Sequence, residues 1–120
     1  MNDRELLELA AKAAGIHGVL VERPAIDGYP TDFVGIGRSA ATIAPLWNPL
    51  ADDGDALRLA VKLGARVYVY PGHGDDCTIV ATDDAARYKG WAREPHNGDP
   101  EKATRRAIVR AAAEIGRAMP

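Results

Sequence analysis

The residues best suited to chemistry lie near the middle of the chain, where Asp52, Asp53 and Asp55 closely follow Trp47. Several carboxylates in one loop are the ligands that hard cations prefer, so this run could hold a metal. A calcium-binding loop also needs acids at alternate positions, then Gly and a distant Glu, and that pattern is missing. The same carboxylates would cap the free N–H groups of an apolar helix and suit its dipole. The run therefore predicts a helix start, with Trp47 as a packing anchor.

A second candidate is His73, which lies beside two carboxylates in a Gly-rich segment and close to Cys77. A histidine acting as a base needs an orienting partner and a substrate pocket, and it could activate a neighbouring thiol. His17 and His96 are too distant in sequence to complete a metal-ligand spacing. We interpret the segment as a hairpin loop and Cys77 as a small core residue at the start of a strand.

A glycine-rich run, Gly35–Ala40, fits the bare form of a dinucleotide-binding loop. Such a loop must open a helix, but Thr42, Ile43 and Pro45 follow at once and leave no room for one. We therefore predict no nucleotide and no other cofactor.

Basic residues repeat every four positions near the carboxyl end, at Lys102, Arg106 and Arg110, with Arg117 on the same helical side. A stripe of this kind could contact phosphates. Glu114 lies at its edge, and the whole chain has a net charge of -2. A solvated helix face is the favoured interpretation, and nucleic-acid binding through Arg106 and Arg110 is an alternative.

The bulk properties predict one globular domain over residues 1–120, with 47% hydrophobic residues. The single cysteine excludes an internal disulfide. The amino terminus is polar and acidic, unlike a signal peptide, and no apolar run has the length of a membrane span. We expect a cytoplasmic protein that does not bind membranes.

The apolar spacing and the turn residues predict an α+β fold: three helices with a mostly antiparallel sheet of short strands. A wide apolar arc on the middle helix predicts that this helix is covered on more than one side. The segment 94–99 is expected to be a polar loop. The predicted helices are Arg4–Ala14, a middle helix from Asp52 or Asp53 to Leu63, and a last helix from Pro100 to about Ala118; the predicted strands are Val19–Glu22, Asp32–Ile36, Thr42–Ala44, Arg66–Tyr70, Cys77–Thr82 and Arg87–Ala92.

Two stretches carry a family resemblance: the run from Trp47 to Gly64, and the arginine- and alanine-rich helix from Thr104 to Arg117. Together with the first helix, rich in Leu and Ala, they resemble small uncharacterised proteins of tailed bacteriophages and prophages that are grouped as the phage ABA sandwich domain. The resemblance implies a three-layer α-β-α sandwich and a phage origin. The resemblance supplies no activity and no catalytic residues that could be carried over to this chain.

Three functions follow as hypotheses. The leading one is a non-enzymatic phage or prophage accessory protein, which acts by self-association or by binding another phage or host protein. The second is nucleic-acid binding through the basic helix face. The third is a small enzyme with a site near Trp47, Asp53 and His73. The candidate interaction residues are Trp47, Asp53, Asp55, His73, Arg106 and Arg110.

Overall fold

The computed structural model describes residues 1–23, 33–39, 46–71, 75–83 and 86–120, and within these it contains three helices and five strands. The strands form two antiparallel sheets, β1-β2 and β3-β4-β5. The predicted α+β class is confirmed, although the strands are divided between two sheets where one was expected. In chain order the elements are α1 (Asp3–Ala14), β1 (Val19–Arg23), β2 (Phe33–Gly37), α2 (Asp53–Leu63), β3 (Arg66–Tyr70), β4 (Cys77–Ala81), β5 (Trp91–Pro95) and α3 (Pro100–Ala118).

Each helix begins at a side-chain cap of a residue type that favours helix starts. Asn2, Asp52 and Asp99 accept hydrogen bonds from backbone N–H groups of the first turns of α1, α2 and α3. α1 and α2 end at Gly15 and Gly64, which have φ values of 69° and 62°. This left-handed conformation is the one in which glycine costs least, so both helices stop where predicted.

α3 is the central element of the core, because it packs against α1, α2, β4 and β5. The buried residues of α3 include Ala107 and Ile108 on one side and extend to Ala103, Val109 and Ala113, so α3 is enclosed around most of its circumference. Its alanines allow the neighbouring elements to approach closely.

The three-stranded sheet is covered by α3 on one face only. Thr78, Val80 and Ala92 point toward α3 and are fully buried. On the opposite face, Tyr68 and Tyr70 are exposed, and no helix covers them in the described part of the chain. The second helical layer that a three-layer sandwich requires is thus not found among the described residues.

β1 and β2 form the smaller sheet, whose outer edge is extended by Trp47. The backbone N–H of Ile36 donates to the carbonyl of Trp47 at 2.8 Å, and the Trp47 N–H donates back at 3.0 Å. The predicted strand Thr42–Ala44 and the predicted strand start at Asp32 lie outside the described residues.

Two sequence expectations about the last sheet strand are wrong. β5 begins at Trp91, not at Arg87, and it includes Glu94, which was assigned to a polar loop. The reason is pairing with β4: Thr82 donates its N–H to the Gly90 carbonyl at 3.0 Å and so sets where the ladder starts. A local alternation of side chains cannot reveal a register fixed by another strand.

The expectation that α2 is covered on more than one side is also wrong. Leu57 and Val61 lie one turn apart on this helix, and they are 65% and 73% exposed. Only Ala56, Leu59 and Ala60 are buried. α2 therefore presents an apolar stripe to solvent.

Candidate interaction surface

The acidic run joins α2 to α3. Asp52 accepts the N–H of Asp55 at 2.8 Å and caps α2. Asp53 accepts a hydrogen bond from Nη1 of Arg105 at 2.7 Å, and Nε of the same arginine donates to the Leu50 carbonyl at 2.9 Å. The capping interpretation of the run is confirmed, and Asp53 has a structural partner.

Asp55 connects α2 to the segment before it. Its carboxylate accepts the backbone N–H of Asn48 at 3.0 Å and a guanidinium hydrogen of Arg58 at 2.8 Å. The Asn48 side chain donates to the Val34 carbonyl at 2.8 Å and so reaches β2. Through these hydrogen bonds, Asp55 and Asn48 fix the position of the segment that connects β2 to α2.

The small-enzyme hypothesis needs Trp47 and Asp53 to share a pocket with His73. Trp47 is half-buried and packs against the core, which confirms its predicted role as an anchor. Asp53 lies at the rim of a groove that Trp47 does not line. His73 lies outside the described residues. Within the described part of the chain, no three His, Cys, Asp or Glu side chains are grouped to hold a metal ion.

Two of the four basic side chains in the α3 stripe are held in ion pairs, while Lys102 and Arg117 are exposed as a solvated face requires. Arg106 pairs with Asp3 at 2.9 Å and with Glu94 at 3.0 Å. Arg110 lies 3.3 Å from the same Glu94 carboxylate and donates to the Arg93 carbonyl at 3.0 Å. Two guanidinium groups thus face two carboxylates. The acids come from α1 and β5, so their proximity could not be read from the helix sequence.

The most unusual surface lies at β3, which sequence analysis did not select. Every residue of β3 is exposed, and the apolar stripe of α2 lies beside it. We call this region the β3 edge surface. It consists of six exposed hydrophobic residues: Leu57, Val61, Val67, Tyr68, Val69 and Tyr70.

An open groove of about 460 Å³ runs along the helix-facing side of β3. Val67 and Val69 line it from the strand, Leu57 and Ala60 from α2, and Ile108 from α3. Tyr68 and Tyr70 lie on the other face of the strand, with their rings stacked at a centroid distance of 6.3 Å. Both faces of this edge strand are therefore apolar and accessible.

The backbone of β3 also faces solvent at two residues. In an antiparallel ladder, backbone N–H and C=O groups alternate between the two sides of a strand. Residues 76 and 82, which flank β4, bond toward β5, so residues 78 and 80 do the same. Residues 77, 79 and 81 must then bond to β3. Their partners are Tyr70, Tyr68 and Arg66. The backbone N–H and C=O groups of Val67 and Val69 therefore point away from β4, toward the open edge of the sheet.

The opposite edge of the same sheet is protected. By the same alternation, the backbone polar groups of Arg93 and Pro95 point away from β4, toward the outer edge of β5. Pro95 has no N–H to offer, and the Arg93 carbonyl accepts a hydrogen bond from Arg110 at 3.0 Å. Proline and charged side chains are usual means of blocking an edge strand. No described residue blocks β3 in this way.

A buried polar network lies on the inner face of the sheet, and it too was missed from the sequence. The Thr78 hydroxyl lies 2.9 Å from Nε2 of His96 and 2.7 Å from the Thr104 hydroxyl. The backbone N–H of His96 donates to the backbone carbonyl of Asp76 at 2.9 Å. The network ties β4, the end of β5 and α3 together.

Compared with protein-family models, curated proteins and solved structures, the chain shows no match. The resemblance to the phage ABA sandwich domain therefore stays a prediction. No helix in the described part of the chain is long and apolar enough to cross a bilayer.

Proposed function

We propose that this protein is a non-enzymatic interaction module that binds a protein partner through the β3 edge surface. The observation that carries the proposal is an edge strand whose Val67 and Val69 backbones face solvent while both of its faces are apolar. Such an edge is a template for strand addition, in which backbone bonds give affinity and side-chain contacts give specificity. Exposed apolar patches beside it are typical of protein interfaces.

The position of α2 supports the same function. Leu57 lines the groove next to Val67 and Val69, and Val61 continues its apolar stripe by one turn. A partner that pairs with β3 would therefore also meet an apolar helix. Burial of large aliphatic side chains stabilises a complex by about 1.5–3 kcal/mol each before the costs of association.

The phage or prophage accessory role is part of this proposal and depends on the resemblance at Trp47–Gly64 and Thr104–Arg117. It supplies the class of partner, namely a phage or host protein, or this chain itself. The contacts of Arg106 and Arg110 with Asp3 and Glu94 give no support to nucleic-acid binding, because the two carboxylates balance the two positive charges.

The proposal is tested by affinity capture from cells that carry the gene, with a tagged chain as bait. We expect Val69→Lys to lose the captured partner, because a charge would enter the groove. Val19→Lys is the matched control, since Val19 is a similarly exposed valine in the other sheet. Equal capture by the wild type and both variants would contradict a role for the β3 edge surface. Both variants must first show the wild-type circular dichroism spectrum.

A further inference from the structure

We infer that the partner at the β3 edge surface is a second copy of this chain, joined by antiparallel pairing of the two β3 strands about a twofold axis. The inference rests on the proposed function and specifies its partner. It predicts one continuous six-stranded sheet, with the two Tyr68 residues opposite each other at the axis.

The backbone of β3 is self-complementary in this register. With Tyr68 opposite the partner's Tyr68, Val67 lies opposite the partner's Val69, and Val69 lies opposite the partner's Val67. The groups at Val67 and Val69 are the ones that face the open edge. Each of the two Val67–Val69 pairs can therefore exchange two N–H···O=C bonds, as a hydrogen-bonded pair in an antiparallel ladder does.

The side chains are equally compatible with the twofold axis. The segment Val67-Tyr68-Val69 reads the same in both directions, so every central pair joins identical residues. Valine meets valine on the groove side, and tyrosine meets tyrosine on the other side. Arg66 comes to lie opposite the partner's Tyr70, a position from which a guanidinium can contact an aromatic ring. Cross-strand pairs of aromatic and β-branched residues are among those that stabilise sheets.

α2 accompanies β3 in the same assembly. Leu57 lines the groove beside Val67 and Val69, so each copy brings an apolar helix residue next to the valine pairs. Asp53 and Asp55 stay paired with Arg105 and Arg58 of their own chain. The twofold axis relates the two α2 helices as it relates the two β3 strands. A foreign strand would satisfy the edge but would not require this symmetry.

The other sheet edges are less suited to self-pairing. At β5 the edge ends in Pro95 and the Arg93 carbonyl is occupied, while β2 is bridged by Trp47. β1 carries the charged Glu22, which pairs with Arg4. Among the described strands, β3 is the one that combines apolar faces with an open backbone.

The first test is the oligomeric state of the purified full chain, measured by sedimentation equilibrium over micromolar to millimolar concentrations. We expect a reversible dimer. Val69→Pro removes an N–H that faces the partner but leaves the β4 ladder intact, so it should raise the dimer Kd by about tenfold or more. Arg93→Pro is the matched control, because its N–H faces the opposite edge, and it should leave the Kd unchanged. A wild-type monomer throughout this range, or equal effects of both prolines, would overturn the inference.

A second test fixes the register and does not depend on a proline variant. In a Cys77→Ala background, Tyr68→Cys places two thiols opposite each other in a pair without hydrogen bonds, where the strands are closest. Mild oxidation should give a covalent dimer. Tyr70→Cys is the control, since Tyr70 and its copy are four positions apart, about 14 Å along the strands.

Cross-linking of Tyr68→Cys alone would support the inferred register. Equal cross-linking of both variants, or none, would overturn it. The outcome is separable from that of the proposed function. If the purified chain is a monomer but Val69→Lys still abolishes capture of a different protein, the surface is an interface and the second-copy inference is wrong.

Discussion

A methyl group on Gly116 in α3 would lie 2.1 Å from the carbonyl oxygen of Leu9 in α1. The two helix backbones are therefore in direct contact at this point, and no side chain fits between them. Gly116 is buried within α3, where glycine is otherwise an unfavourable helix residue. The close approach explains its presence and fixes the position of α1 on the central helix.

Gly116→Ala should destabilise the protein by about 2 kcal/mol, because the added methyl group overpacks the helix contact. Helix propensity alone predicts the opposite sign, a stabilisation of about 1 kcal/mol. Urea denaturation with a constant m-value measures the difference.

Gly54→Ala in α2 is the matched control for this substitution. A methyl group there would meet the flexible end of the Arg58 side chain at 3.1 Å and the capping oxygen of Asp52 at 3.2 Å, contacts that a small shift of either side chain relieves. It should leave the free energy of unfolding unchanged or raise it. A stabilising effect of Gly116→Ala would show that the helices separate easily.

Thr78→Val should cost about 1–3 kcal/mol of stability, since it keeps the shape of the side chain and leaves Nε2 of the buried His96 without its partner. Thr104→Val is expected to cost less, because Thr104 is half-buried and Thr78 would keep its bond to His96. Thermal and urea unfolding of both variants shows which substitution lowers the free energy of unfolding more. The reverse order would mean that the network is centred on Thr104.

Features set by neighbouring residues could be predicted from the sequence, and features set by distant ones could not. Helix caps could be predicted at Asn2 or Asp3, at Asp52 or Asp53 and at Asp99, because a cap and its helix are local. The burial of His96 was not, because its partner Thr78 is 18 residues away. β5 was misplaced for the same reason, since β4 determines its register.

The candidate surface was partly visible in the sequence. The apolar arc of α2 was recognised, but periodicity cannot tell whether Leu57 and Val61 are covered or exposed. The strand Arg66–Tyr70 was predicted correctly, yet its place at an open edge depends on the strand order. Arg106 and Arg110 were selected for charges that Glu94 and Asp3 balance, and Glu94 was assigned to a loop.

Asp52→Ala should lower the free energy of unfolding by about 1 kcal/mol, the usual cost of losing a helix cap. Asp53→Ala should cost about 0.5 kcal/mol or less, because the Asp53 carboxylate is 78% exposed where it meets Arg105. Chemical denaturation of the two single variants separates these roles. If Asp53→Ala were the more costly, its link to α3 would matter more than the cap.

Wild-type protein should show no salt-dependent binding to single- or double-stranded oligonucleotides, because Glu94 and Asp3 balance the charges of Arg106 and Arg110. Glu94→Gln combined with Asp3→Asn removes both carboxylates. This variant should gain weak binding, with a slope of log K against log salt of about -2 for two released guanidinium groups. Fluorescence anisotropy at low salt measures both proteins. Wild-type binding that falls steeply with salt and is lost in Arg106→Ala with Arg110→Ala would instead identify α3 as a nucleic-acid interface.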